Sequence, residues 1–214
     1  MRHSQIFGFT LSSKSWTATL RGQMRRSREE AALTRKHIVK TAAREIRANG
    51  IAESGLAEVM KAAGLTHGGF YKHFGSKDQM VKEAVGRAFA EILGQLQSSI
   101  RGKPPDAALA KLVRQYLSAD LRDNVERSCP LSAIGTELRR SGPATGEVVL
   151  DGMQRLISLI AEQITDIPRR QARARARGIA SAMVGGIVLS RLARNTHLAA
   201  RILRDTREFI LRST

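Results

Sequence analysis

The stretch from Gly55 to Phe74, GLAEVMKAAGLTHGGFYKHF, constrains this chain more than any other. Behind Ser54, whose side chain can accept from the free N–H groups of a first helical turn, Leu56, Val59, Met60 and Ala63 recur at helical spacing. The spacing predicts a short helix from Gly55 to about Lys61. Gly64 follows, where a left-handed backbone carries no Cβ strain, so the chain turns sharply there. Leu65 is placed to fill the angle between two helices. Thr66 then caps a second helix that exposes His67, Gly68, Gly69 and Lys72 and turns Phe70 inward.

Two helices crossing at about 90–120° over such a turn can lay the first residues of the second helix along base edges in a major groove. Gly68 and Gly69 let the backbone come close, yet each weakens an isolated helix by about 1 kcal/mol relative to alanine. Packing or DNA must therefore hold the second helix. The same spacing also occurs in ordinary helical hairpins, and the residues of this stretch leave both readings open.

The longer segment GLTHGGFYKHFGSKDQMV closely resembles the recognition helix and following helix start of the tetracycline-repressor (TetR) family of bacterial transcription regulators. Upstream, TRKHIVKTAAREIRANGIAESGLAEVMKAAG is similar to that family's first two helices. The resemblance covers Thr34 to about Val85, with Gly50, Gly64, Phe70, Tyr71, His73, Phe74, Ser76 and Lys77 in the family's order. Ile46 and Glu45 depart from it, standing where a bulky aromatic and an apolar residue are usual. The resemblance implies an all-α fold, with an N-terminal three-helix helix-turn-helix DNA-binding domain joined to a C-terminal helical ligand-binding and dimerisation domain. It implies a dimeric repressor, released from an inverted-repeat operator by a small-molecule effector.

Charge bears on the partner without choosing it. The 214 residues carry 36 Lys and Arg against 19 Asp and Glu, a formal charge of +17, which suits nucleic acid or an anionic membrane. The excess is spread out: Met1 to Val85 holds 15 basic and 7 acidic residues, and the remainder is about equally basic. A local run, Arg169, Arg170, Arg173, Arg175 and Arg177, reads as a solvated helix face. A non-specific basic nucleic-acid-binding or architectural protein is thus the rival to a sequence-specific regulator. The longest apolar stretch, Gly178 to Leu189, falls short of the ~20 residues that span a bilayer, so no membrane partner is expected.

The single cysteine, Cys129, excludes an intramolecular disulfide and fits a reducing cytoplasm. At a helix start its thiolate could have a lowered pKa and sense oxidants; the alternative is a small buried apolar residue. His3, His37, His67, His73 and His197 lack metal-ligand spacing, and no nucleophile, base and acid form a signature. No enzyme activity, cofactor or metal is expected.

In chain order, residues 1–27 form a basic extension without an acidic residue, expected to be disordered, and the resemblance points to Met24 as a natural start. A DNA-binding domain is expected over 28–80, with the helix-turn-helix at 55–74, and an effector-binding and dimerisation domain over 81–214. Helix one runs from about Arg28 or Thr34 to Ala48 with Ile38, Ala42 and Ile46 inward. Ser76 caps a long helix to about Ser99, Asp106 opens another, and Cys129 and Pro130 start a short one. Val149, Met153, Leu156, Ile157, Ile160 and Ile164 mark the next. The last two, from Pro168 to Leu192 and from His197 to Arg212, carry apolar stripes, including Leu198, Ile202 and Phe209, suited to a homodimer interface that Gly185 and Gly186 would let close up.

The expected DNA-binding residues are Ser54, Gly55, Thr66, His67, Gly68, Gly69, Tyr71, Lys72, His73 and Lys77. Thr66, His67, Gly68, Tyr71 and Lys72 face the groove or its walls, while Ser54 and Lys77 hold the phosphate backbone. By the resemblance, an effector pocket would be lined by Leu112, Tyr116, Cys129, Met153, Ile157 and Met183 and take a small, largely apolar molecule. On periodicity alone each of these six is a core residue.

Overall fold

The computed structural model describes the backbone of residues 13–212 and the side chains of residues 28–212. Among the described residues the regular structure is entirely helical. Nine α-helices follow in order: α1 (Ser13–Asn49), α2 (Leu56–Ala62), α3 (Lys77–Ile100), α4 (Pro105–Tyr116), α5 (Ala119–Asp123), α6 (Pro130–Leu138), α7 (Pro143–Ala161), α8 (Arg169–Leu192) and α9 (Thr196–Arg212). Short 3₁₀ turns occupy His67–Lys72 and Val125–Arg127.

The chain divides into residues 1–37 and 38–214. In the first, α1 begins at Ser13, well before the expected start at Arg28 or Thr34. No proline interrupts Ser13 to Asn49 and Gly22 is the sole glycine, so nothing local stops the helix earlier. The expected disordered extension therefore falls on helical backbone over 13–27, and its first twelve residues lie outside the described ones. Arg28 to Leu33 are exposed, and the Thr34 hydroxyl donates to the Glu30 carbonyl.

In the second unit one apolar core runs from Ile38 to Ile210. Ile38, Ala42 and Ile46 are buried as their spacing predicts, and Ile46 fits although it stands where the family carries an aromatic. Gly50 follows the end of α1 at φ +92°, a conformation that favours glycine. On α3, Val81, Val85, Ala88, Ile92 and Leu96 are all buried, and α3 packs against α4 and α7. Gly152 is the contact glycine of the pairing with α7: a Cβ there would run into the Phe89 ring. Helix α7 packs in turn on α8, and α8 on α9.

Gly186 permits close approach within the chain, since a Cβ there would stand 3.0 Å from both Leu117 and Thr206. On α9 the buried apolar residues are Ala199, Leu203 and Ile210, one position on from the expected stripe; Leu198 and Phe209 are 50% and 67% exposed. Leu189 and Leu192 on α8 are exposed as well, so both helices carry exposed apolar side chains. Helix α5 has no signal in the apolar spacing. It is only five residues long, and Arg191 from α8 anchors it by donating to the carbonyls of Leu121 and Arg122 at 2.7 and 3.0 Å, and donates to that of Ser132 on α6 at 2.8 Å.

Candidate nucleic-acid interface

Helix α2 closes in a complete Schellman arrangement. Gly64, at φ +69°, donates its N–H to the Lys61 carbonyl, and Leu65 donates to Met60, each satisfying a carbonyl at the helix end. Leu65 packs against the core in the angle that this turn creates. The start of α2 differs from expectation: Gly55, not Ser54, is the N-cap, and no side chain caps it. Ser54 is buried and its hydroxyl donates to the Gly50 carbonyl at 2.6 Å. That bond ties down the α1–α2 turn and removes Ser54 from the expected phosphate contacts.

The expected second helix is a 3₁₀ turn, His67–Lys72, and Thr66 precedes it without a side-chain cap. Six residues containing two glycines hold too little intrinsic helicity for an α-helix to win over the tighter turn. Packing fixes it instead. Phe70 is fully buried and stacks on Phe74 at 5.3 Å, while Tyr71 meets the Phe70 ring edge-on at 5.2 Å. Burying a phenylalanine of this kind contributes about 1.5–3 kcal/mol, enough to offset the glycines.

Held from below by Phe70, the turn presents Thr66, His67, Gly68, Tyr71 and Lys72 as one surface, all five of them exposed. Tyr71 is 66% exposed, and His67 meets it edge to face at 6.5 Å. Gly69, His73 and Lys77 are half-buried at its margin, as is Gly55 at the start of α2, where the Glu58 carboxylate occupies the space a Cβ would need. The next helix opens beside this surface. Ser76 accepts from the Gln79 N–H at 3.1 Å, and the Gln79 side chain in return accepts from Gly75 at 2.9 Å. Lys77 thus stands on the first turn of α3, where unpaired N–H groups and the helix dipole favour an anion.

Elsewhere in this unit lies a polar seam built from side chains far apart in the sequence. Arg47 is 2% exposed; its guanidinium donates to Glu91 of α3 at 2.7 Å, to the Ala43 carbonyl at 2.8 Å and to the Ser128 carbonyl at 3.2 Å. Burial lowers the Arg47 pKa against the raising effect of Glu91. At Glu91 burial acts to raise the pKa, but hydrogen bonds from Arg87 and Arg47 outweigh it and hold the carboxyl below its ordinary range. A second carboxylate reaches the turn from α6. Glu137 accepts from the N–H groups of Ile51 and Ala52 at 2.7 and 3.2 Å, and a Cβ at Gly50 would stand 2.6 Å from its other oxygen. For Arg47 one hint exists, since it falls four residues after buried Ala43 on the inward side of α1. Glu137 is 86 residues from its partner Ile51, a separation that spacing along the chain cannot bridge.

The six expected pocket residues differ in their burial. Leu112, Tyr116, Cys129 and Met183 are buried in the packed core, Ile157 is half-buried, and Met153 is 37% exposed. Met153 instead lines an apolar groove of about 500 Å³ between α6 and α7, with Leu131, Leu138, Val149 and Leu150. The Tyr116 hydroxyl lies beside Cys129 and Ser132 but has no hydrogen bond of good geometry. Burial pushes the Cys129 thiol up, opposite to the lowered pKa a sensing thiolate needs. Cys129 is therefore the buried apolar residue of the two alternatives.

An all-helical chain that closes a short helix with a Schellman glycine and sets an exposed turn across it is a helix-turn-helix protein. Residues 38–84 match the model of the bacterial regulatory proteins of the tetR family. It is 33% identical over 88 residues to the HTH-type transcriptional regulator AcrR of Shigella flexneri, a match covering 41% of this chain and 40% of that one. Over 59 residues it is 39% identical to the HTH-type transcriptional regulator TtgR of Pseudomonas putida, 28% of each chain. The likeness in sequence thus spans two fifths or less of these relatives. The fold extends further: a TetR transcriptional regulator from Chloroflexus aurantiacus superposes with a TM-score of 0.72 at 19% identity, over 85% of this chain and 96% of the other. Escherichia coli NemR in its reduced form gives 0.69 at 17% identity, over 81% and 94%. None of the described helices is long and apolar enough to cross a membrane.

Proposed function

We propose that this chain is a cytoplasmic, sequence-specific DNA-binding transcriptional regulator that acts as a homodimer on an inverted-repeat operator. The observation that carries this is the surface of Thr66, His67, Gly68, Tyr71 and Lys72, held from below by Phe70 and flanked by Lys77 at a helix start. Tyr71 and Lys77 position the duplex through its backbone, and His67 with the turn's backbone meets the base edges. The exposed Leu189, Leu192 and Leu198 supply the apolar face for a second copy, which would set two reader turns on one duplex.

The division we propose at about residue 80 is one of labour within continuous packing. Repression, relieved by a small apolar effector, is the regulatory sense that the family resemblance favours. An effector works only by binding the DNA-incompetent arrangement more tightly than the competent one. Helix α6 is the element through which it could act. It lines the apolar groove on one side, carries Glu137 to the α1–α2 turn on the other, and departs from helical geometry at Ile134.

The test is selection of bound duplexes from a random DNA pool at two salt concentrations. Enrichment of an inverted repeat that survives the higher salt is expected. Binding without enrichment, fading as salt rises, would replace this reading with the non-specific one that the +17 charge favours.

A further inference from the structure

The arginine run of α8 is a surface in its own right. Arg169, Arg170, Arg173 and Arg177 stand on it with Arg175, which is half-buried while the other four are exposed. No ion pair or hydrogen bond from these five guanidinium groups occurs among the described residues, although Arg47, Arg87, Arg122, Arg155, Arg204 and Arg212 all hold carboxylates. Arg169, Arg173 and Arg177 follow one another at four-residue intervals, about 6 Å apart along the helix. Ala172, Ala174, Ala176 and Gly178 between them leave the guanidinium groups unshielded. Glu162 shares a cleft with Arg169 and Arg173 without pairing to them. A cation row kept free of the available acid, and made of arginine alone, is suited to bidentate contacts with successive phosphates.

Its position separates it from the other surfaces. The cleft beside Arg169 and Arg173 shares Ser158 and Glu162 with a second cleft that reaches Leu93 and Gln97 of α3. Those residues lie about 24–30 Å along the α3 axis from Lys77, so no side chain serves both places. The apolar residues Leu189 and Leu192 are at the opposite end of α8, about 18–35 Å from the arginines.

We infer that the α8 arginine row is a second DNA-backbone site, which holds a duplex other than the one under the reader turn and makes the protein a bridge between two DNA segments. The first duplex rests on the function proposed above; the second site does not. In the test, an immobilised duplex carrying the selected motif is loaded with protein and then offered a labelled duplex of random sequence. The wild type should capture the labelled duplex, and R169A/R173A/R177A should bind the immobilised one equally well yet capture little. The same triple replacement by lysine should restore part of the capture, because it returns the charge without the bidentate fork.

A second arm uses Y71A/K77A with random duplex alone. There the slope of log affinity against log salt should fall by about 2.7 when the three arginines are removed, about 0.9 for each phosphate no longer neutralised. This arm stays informative if no motif is ever selected, so failure of the reader and failure of the row are told apart. Absence of capture by the wild type, an unchanged slope, or tighter competition by polyglutamate than by duplex would each overturn the second site, the last in favour of an acidic protein partner.

Discussion

The reader turn and the polar seam of Arg47, Glu91 and Glu137 are built from opposite materials. His67, Tyr71 and Lys72 are exposed and support nothing else in the described fold beyond ring contacts. Arg47, Glu91 and Glu137 are tied to partners 44 to 86 residues away. The contrast is one of cost. Replacing a reader residue should cost binding without stability, and replacing a seam residue should cost stability first.

Ranked by their effect on folding, the largest loss should follow Glu91→Ala, which strands the buried Arg47 guanidinium and should cost about 3 kcal/mol. Urea denaturation of the two proteins checks this, and equal midpoints would erase the contrast between seam and reader. The same pair has a pH signature. Because the folded Glu91 carboxyl titrates below its ordinary range, its stabilisation is complete above about pH 4.3, the unfolded value, and is lost as pH falls through the lower folded value. Glu91→Gln should therefore flatten the acid limb of a stability profile while leaving its neutral limb parallel to the wild type.

Gly152→Ala comes next. The added methyl meets the Phe89 ring where α7 crosses α3, and the overpacking should cost about 1–3 kcal/mol by thermal or urea unfolding. Glu137→Ala should cost about 1 kcal/mol, since water can replace the carboxylate at the partly exposed Ile51 and Ala52 N–H groups. Its sharper readout is DNA: operator affinity should fall more than stability does, because the α1–α2 turn loses its anchor to α6. Equal affinity in the variant would remove α6 as the link to the reader.

At the small end, Tyr71→Ala and Lys77→Ala should each change folding by no more than about 0.5 kcal/mol. Both should nevertheless weaken operator binding, and Lys77→Ala should lower the salt slope by about 1. A destabilised Tyr71→Ala would mean that its edge contact with Phe70 matters to the fold after all.

The legible and the illegible parts of the molecule separate by range. The buried faces of α1 and α3, the Gly64 turn, the Ser76 cap and the inward Phe70 follow from residues within one or two helical turns of each other. Spacing sees those. Ser54 is ambiguous because a serine before a helix can cap it or bond backward, and the backbone path through Gly50 decides which. The 3₁₀ form of the reader escapes a local reading because two glycines leave the helical preference weak and Phe70 packing takes over. The effector residues escape it for a different reason: periodicity marks a residue as inward but says nothing of whether a cavity or another side chain fills the space.

The amino-acid sequence was enough for the all-helical architecture, the position of the Gly64 turn and the excess of positive charge, all of which are properties of composition or of neighbours along a helix. It took the packed helices to establish that Arg47 is buried on Glu91, that Glu137 holds a turn 86 residues away, that Leu198 and Phe209 face outward, and that five arginines of α8 hold no carboxylate among the described residues. These depend on which helix lies against which, and a side chain's partner across such a contact is set by packing in three dimensions, where distance along the chain carries no information.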